Sequence, residues 1–238
     1  MGLDQAVTSL FGIGVGPGDP ELVTLKAARL IGTLPVLAHV GADGRPSRAR
    51  RIAQALIPAD TRELAADLPM RCAPDVARPV YDRLAAEILA EIRHGREVGF
   101  LCEGDPLLYG SFVALLDRLG AQVPVTVVPG ITSIAAAAAG SRHVLAQRDE
   151  NLAILAATAG DARLRASMGS AASVAILKVG RHLPRIRHLL AEVGLAESAL
   201  VVSELGSAEE QVRPLDMVTE ERLPYFALIL ARRPRELP

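Results

Sequence analysis

The 238 residues suit one large or two small domains, and with 50% of them hydrophobic the chain has material for a real core. A formal net charge of −1 supplies no global positive field, which argues against nucleic acid or an anionic membrane as partner. Lys26 and Lys178 are the only lysines and the remaining Lys/Arg positions are Arg, a bias that suits carboxylate recognition but also follows from a GC-rich genome.

Cys72 and Cys102 stand far apart in no pairing motif, so a disulfide framework is not expected and a reducing cytoplasm fits. The segment from Met1 to Leu10 carries Asp4 and no basic region, unlike a secretory signal. The apolar run from Ile131 to Ala139 is too short to span a bilayer. The expectation is a soluble protein.

Leu10 to Val15 reads as a strand ending in a glycine-rich turn. Asp19 as N-cap and Pro20 at the first helical position then open a helix expected to run through Ile31. Val36 to Val40 predicts the next strand. Arg48 to Leu56 and Tyr81 to His94 predict helices, the latter with Tyr81, Leu84, Ile88 and Ile92 on one face. A short buried strand at Val98 to Cys102, a helix at Gly110 to Leu119, a strand at Val125 to Val128 and a helix at Thr132 to Ala139 follow. The polar stretch from Ser141 to Asn151 marks a junction. Beyond it, strands at Leu152 to Ala157, Val174 to Lys178 and Leu200 to Ser203 are separated by helices near Ala162 to Met168 and Pro184 to Val193. Gln211 to Val218 and Tyr225 to Ala231 close the series, Pro214 making the former an edge strand. Strands joined by helices predict an α/β protein with mainly parallel sheets, in two domains over residues 8–142 and 150–238.

Three turns fall at strand ends. Gly12-Ile13-Gly14-Val15-Gly16-Pro17-Gly18-Asp19-Pro20 leads from a strand to a helix N-terminus, a usual way to bring backbone N–H groups to a ligand. It is neither a dinucleotide fingerprint, since Pro17 stands where the third glycine belongs, nor a Walker loop, since no Gly-Lys-Ser/Thr follows. Glu103-Gly104-Asp105-Pro106-Leu107-Leu108-Tyr109-Gly110-Ser111 follows the strand ending at Cys102, with carboxylates that suit an amino group or ribose hydroxyls. Pro129-Gly130-Ile131-Thr132-Ser133 adds hydroxyls and small residues. Each turn taken alone can also be read as a tight connection with no ligand. The histidines show no metal-ligand spacing, and no metal site is expected. There is no Gly-x-Ser-x-Gly elbow.

In this order and spacing, from about Phe11 to Ala231, the three turns resemble those of the tetrapyrrole (corrin/porphyrin) methylases. The resemblance implies two α/β domains with the active site in a trough between them, a homodimer, and S-adenosylmethionine as methyl donor. It assigns Pro17, Glu103, Gly104, Asp105, Leu108, Thr132, Ser133, Val179 and Gly206 to the cofactor. The first glycine turn, through Gly14 and Gly16, and Tyr109 fall to the tetrapyrrole. Within the family, Leu101-Cys102-Glu103-Gly104-Asp105-Pro106 with Tyr109-Gly110-Ser111-Phe112 looks like the members that methylate C-20 of precorrin-2, as does Gly14 through Ala28. Leu107-Leu108 departs from the paired Phe common in that group. The base that uroporphyrinogen methylases carry after the second strand is missing, Val40 standing there.

The implied substrate carries carboxylates, for which Arg45, Arg48, Arg50 and Arg51, beside Ser47, are the expected anchors; a solvated helix face is the alternative. No catalytic residue is evident, and His39 is the nearest candidate for a base by position. Three alternatives stay open: another ring carbon or a cobalt-containing substrate, methylation of a protein or ribosomal RNA, and a non-enzymatic nucleotide- or tetrapyrrole-binding module.

Overall fold

A computed structural model describes residues 8–69 and 74–234; Cys72 lies outside them, as do the first seven residues. The chain divides into two compact units between Thr132 and Ser133.

In the first unit, β1 (Leu10–Gly14), β2 (Val36–Ala42), β3 (Arg62–Leu68), β4 (Val98–Cys102) and β5 (Val125–Val128) form one sheet in the order β3-β2-β4-β1-β5. Every pairing is parallel, with Gly14 of β1 level with Cys102 of β4. Helices α1 (Leu25–Ile31), α2 (Arg48–Ile52), α3 (Pro74–Arg93) and α4 (Phe112–Leu119) provide the crossovers that parallel strands require. Two apolar cores result. Tyr81, Leu84 and Ile88 pack with Phe100 and Phe112 in one, and Ile31 and Ile52 with Ile13, Leu37 and Leu101 in the other. All five residues of β4 are buried, as expected of a central strand covered on both faces.

The helix expected from Pro20 to Ile31 is two pieces. Asp19 caps only a 3-10 turn over Pro20–Leu22, and its side chain accepts from the Glu21 N–H. Val23 is then extended, and Thr24 caps α1 by accepting from the Ala27 N–H at 3.2 Å. Two good caps five residues apart split the segment. Similarly α2 stops at Ile52, and Gln54–Leu56 tighten into a 3-10 turn before Pro58. Strand β3 was not expected: only Leu64 of its seven residues is buried, which leaves little apolar pattern to read. Helix α3 starts earlier than Tyr81, with Pro79 inside it.

The second unit holds α5 (Ser133–Ser141), β6 (Leu152–Ala156), α6 (Asp161–Ser170), β7 (Ser173–Leu177), α7 (Leu183–Glu192), β8 (Leu200–Ser203), β9 (Gln211–Pro214) and β10 (Ala227–Arg232). Its sheet order is β6-β7-β10-β8-β9. Strands β6, β7 and β8 run the same way; β10 enters between β7 and β8 in the opposite sense, and β9 pairs antiparallel with β8. The architecture is α/β as expected, but direct parallel pairing in this sheet is confined to β6 and β7. Strand β9 is an edge strand, as expected, ending at Pro214 rather than Val218 because Leu215–Met217 wind into a 3-10 turn that buries Leu215. Leu164, Met168, Ile176, Leu183, Ile186 and Ile229 centre this core. Among the described residues no helix is long and apolar enough to cross a membrane.

Candidate active site

The three turns read from the sequence meet backbone to backbone at the carboxyl end of the first sheet. Val15, just past β1, donates its N–H to the Cys102 carbonyl at 2.9 Å, and the Gly104 N–H donates to the Gly16 carbonyl at 2.8 Å. A Cβ on Gly14 would lie 2.5 Å from the Gly130 nitrogen and 2.6 Å from the Gly104 oxygen. One on Gly130 would lie 2.0 Å from that same oxygen. These are backbone atoms that cannot swing aside, so close approach demands glycine at both positions. Carboxyl ends of parallel strands are where open α/β sheets take ligands.

Asp105 joins two of the turns. Its Oδ1 accepts the Leu107 N–H at 2.9 Å and its Oδ2 accepts the Gly130 N–H at 3.2 Å. Four residues on, Tyr109 has a φ of 56°, a left-handed conformation that a bulky residue adopts only when its surroundings impose it. Pro17 is buried, while Glu103, Leu108, Thr132 and Ser133 are partly exposed. Leu107, Tyr109 and Ile131, all within these turns, expose large apolar side chains. Such exposure at strand ends suits an apolar ligand surface better than a solvated loop.

The arginine group divides. Ser47 is buried and caps α2, its Oγ accepting the Arg50 N–H at 3.2 Å. Arg48 is buried too, and its Nη2 donates to the Pro17 carbonyl at 3.4 Å, tying α2 to the first glycine turn. Arg50 grips Glu63 of β3 with both arms, Nε to Oε2 at 2.9 Å and Nη2 to Oε1 at 3.0 Å. Arg45 and Arg51 are exposed. The structure therefore brings Ser47, Arg48 and Arg50 into the protein's own framework and leaves Arg45 and Arg51 at the surface.

His39 belongs to that framework. It is 8% exposed on β2, with Nε2 3.0 Å from the Glu63 Oε2 that Arg50 also holds, and its Nδ1 is buried with no hydrogen-bond partner among the described residues. Burial, with the nearby Arg50 charge, holds the imidazole below its ordinary pKa against the opposing pull of Glu63, which favours the neutral ring near pH 7. The Arg50 hydrogen bond holds the Glu63 carboxyl below the usual range. Sequence reasoning missed Glu63 because it missed β3, and nothing local links residues 39 and 63.

In the second unit, Val179 is fully buried in the core, so only its backbone is available to a ligand, and its carbonyl already accepts the His182 N–H at 2.6 Å. The Gly206 N–H donates to Glu210 at 2.8 Å. Lys178, with φ of 58°, and Glu204, with φ of 51°, take left-handed conformations where β7 and β8 end. Left-handed non-glycine residues thus occur in loops that follow strands in both units.

Comparison with known proteins decides the kinship. Residues 9–218 match the tetrapyrrole (corrin/porphyrin) methylases. The chain belongs to that family. Among tetrapyrrole methylases, it is 36% identical to a cobalt-precorrin-2 C(20)-methyltransferase from Salmonella typhimurium, covering 94% of this chain and 96% of that one. It is 34% identical to a precorrin-2 C(20)-methyltransferase from a Sinorhizobium species, covering 94% and 95%. A tetrapyrrole methylase of known structure, a uroporphyrin-III C-methyl transferase from Thermus thermophilus complexed with S-adenyl homocysteine, shares the fold with a TM-score of 0.69. It is 24% identical over 94% of this chain and 92% of that one.

Proposed function

We propose that the protein transfers a methyl group from S-adenosylmethionine to C-20 of precorrin-2 or of its cobalt complex, in cobalamin biosynthesis. The observation that carries this is the near full-length identity, 36% and 34%, to two methyltransferases named for that carbon. The crowded glycine contacts at Gly14, Gly104 and Gly130 fit it, since they leave backbone rather than side chains where the turns meet. Pro17, Glu103, Gly104, Leu108, Thr132 and Ser133 would hold the cofactor, which supplies a sulfonium-activated methyl. Gly16 and Tyr109 face the tetrapyrrole in this reading.

The chain's own contribution is alignment. Holding the reacting carbon in line and excluding water can remove about 7–11 kcal/mol of barrier with no covalent step. Arg45 and Arg51, the two exposed members of their cluster, would fix the macrocycle through its carboxylates. His39 lies buried against Glu63, so the proton released from C-20 is assigned to water.

Incubation with methyl-labelled S-adenosylmethionine tests the reading. Release of S-adenosylhomocysteine only when the tetrapyrrole is present supports it; retention of label without turnover makes the chain a binding module. A cytoplasmic homodimer is the setting implied, and light scattering should then give twice the chain mass of 25.1 kDa.

A further inference from the structure

Asp105 sits in the turn that the family resemblance assigns to the cofactor, yet its carboxylate is already engaged. Oδ1 closes a local turn by accepting the Leu107 N–H, and Oδ2 reaches across 25 residues of sequence to the Gly130 N–H. The second contact falls at the most crowded point of the site, where Gly130 and the Gly104 oxygen approach too closely for any Cβ. The two backbones belong to separate strand connections, leaving β4 and β5 on either side of β1, and the Asp105 hydrogen bond ties one to the other directly. The rest of the turn is braced as well: Gly110 packs so near the Pro106 carbonyl that a Cβ would lie 2.4 Å from it, and Tyr109 is left-handed.

We propose that Asp105 is a positioning residue, whose carboxylate clips the Gly104 turn to the Pro129-Gly130 turn and leaves ligand contact to the backbone and side chains around it. The proposal rests on the cofactor reading above for its consequence, and on the hydrogen bonds alone for its structure. It separates two roles that look the same from sequence. A carboxylate that touches the ligand discriminates among ligands by the group it meets. A clip shapes the cradle and weakens every ligand of that cradle alike.

The test uses Asp105→Asn and Asp105→Ala in the full chain. Asparagine keeps one acceptor oxygen, which can retain the short-range Leu107 turn, and presents an amide N–H₂ toward Gly130, which has no use for a second donor. Amide hydrogen exchange at Leu107 and Gly130 is measured by NMR, and affinities for S-adenosylhomocysteine and for methylthioadenosine, which lacks the amino-acid end, by calorimetry. Expected are faster Gly130 exchange in both variants, faster Leu107 exchange only in Asp105→Ala, and a loss of about tenfold for both ligands in Asp105→Asn. Loss of S-adenosylhomocysteine affinity alone would make Asp105 a direct ligand of the amino-acid end and overturn the clip. Equal losses with unchanged Gly130 exchange would overturn it too, pointing to a shared ribose contact, as would native affinity for both ligands. If the native chain binds neither ligand, the cofactor reading fails, and exchange at Gly130 still decides whether the clip exists.

Discussion

Arg50 is held by both oxygens of Glu63, whereas Arg51, next to it in sequence, is exposed. The two should respond differently to alanine. Arg50→Ala removes a bidentate pair whose partners are 37% and 29% exposed, so solvent screening limits the expected loss to about 1 kcal/mol of stability. Arg51→Ala should stay within about 0.5 kcal/mol of native stability. Urea unfolding measures both, and equal losses would sink the distinction. Kinetics should show the reverse order: Arg45→Ala or Arg51→Ala raises KM for the tetrapyrrole about tenfold and spares cofactor affinity, because a lost charge-assisted contact is worth roughly 1.5–3 kcal/mol before screening. Native KM in both variants would place the carboxylate anchors elsewhere. The arginine cluster was legible as a cluster, but its division was not. The sequence at and just before α2 shows four like residues, Arg45 and then Arg48, Arg50 and Arg51, and only the partners on Pro17 and β3 tell framework from surface.

At the scale of elements, strands β4, β5 and β8 were readable to the residue, since each is a compact apolar run with turn residues on its flanks. Strand β3 was not, because an edge strand with one buried side chain carries almost no hydrophobic period. The turns were legible as glycine spacing, but the reason for the glycines was not. Gly12 carries no ligand argument at all: a Cβ there would lie 2.4 Å from the Phe112 ring, which is fully buried on α4. Gly12→Ala therefore sets a methyl against a side chain, and Gly130→Ala sets one against a carbonyl. We expect Gly130→Ala to lose the larger amount, at the upper end of the roughly 1–3 kcal/mol typical of overpacking, and Gly12→Ala less as the ring shifts. Phe112→Ala, which empties the space instead, should cost about 3–5 kcal/mol. Chemical denaturation of the three variants checks the order, and a Gly130→Ala protein as stable as the native one would contradict the crowding seen at the turns.

For the whole molecule, acid should destabilise well before the carboxylates titrate. Burial lowers the pKa of His39, His143 and His182 in the folded chain below the ordinary 6.5. The unfolded chain then binds more protons than the folded one, so stability falls as pH drops below about 6.5 and levels once each folded-state pKa is passed. Glu63, depressed by Arg50, extends the loss below about pH 4.5. Urea midpoints taken from pH 8 to 5 should fall in that window, less steeply in His39→Gln; midpoints that rise on acidification would refute the burial argument. The family, the α/β layering and the place of the turns could all be read from sequence because they rest on local patterns. The Asp105–Gly130 and His39–Glu63 contacts could not, because the first joins two separate strand connections and the second joins two strands, β2 and β3, 24 residues apart in sequence. NMR of the product reads the site of methylation itself. With precorrin-2 and S-adenosylmethionine carrying a ¹³C methyl, a single labelled methyl should be bonded to C-20. Label at any other ring carbon, or unaltered tetrapyrrole after cofactor binding is demonstrated for both the metal-free and the cobalt-containing substrate, would contradict it.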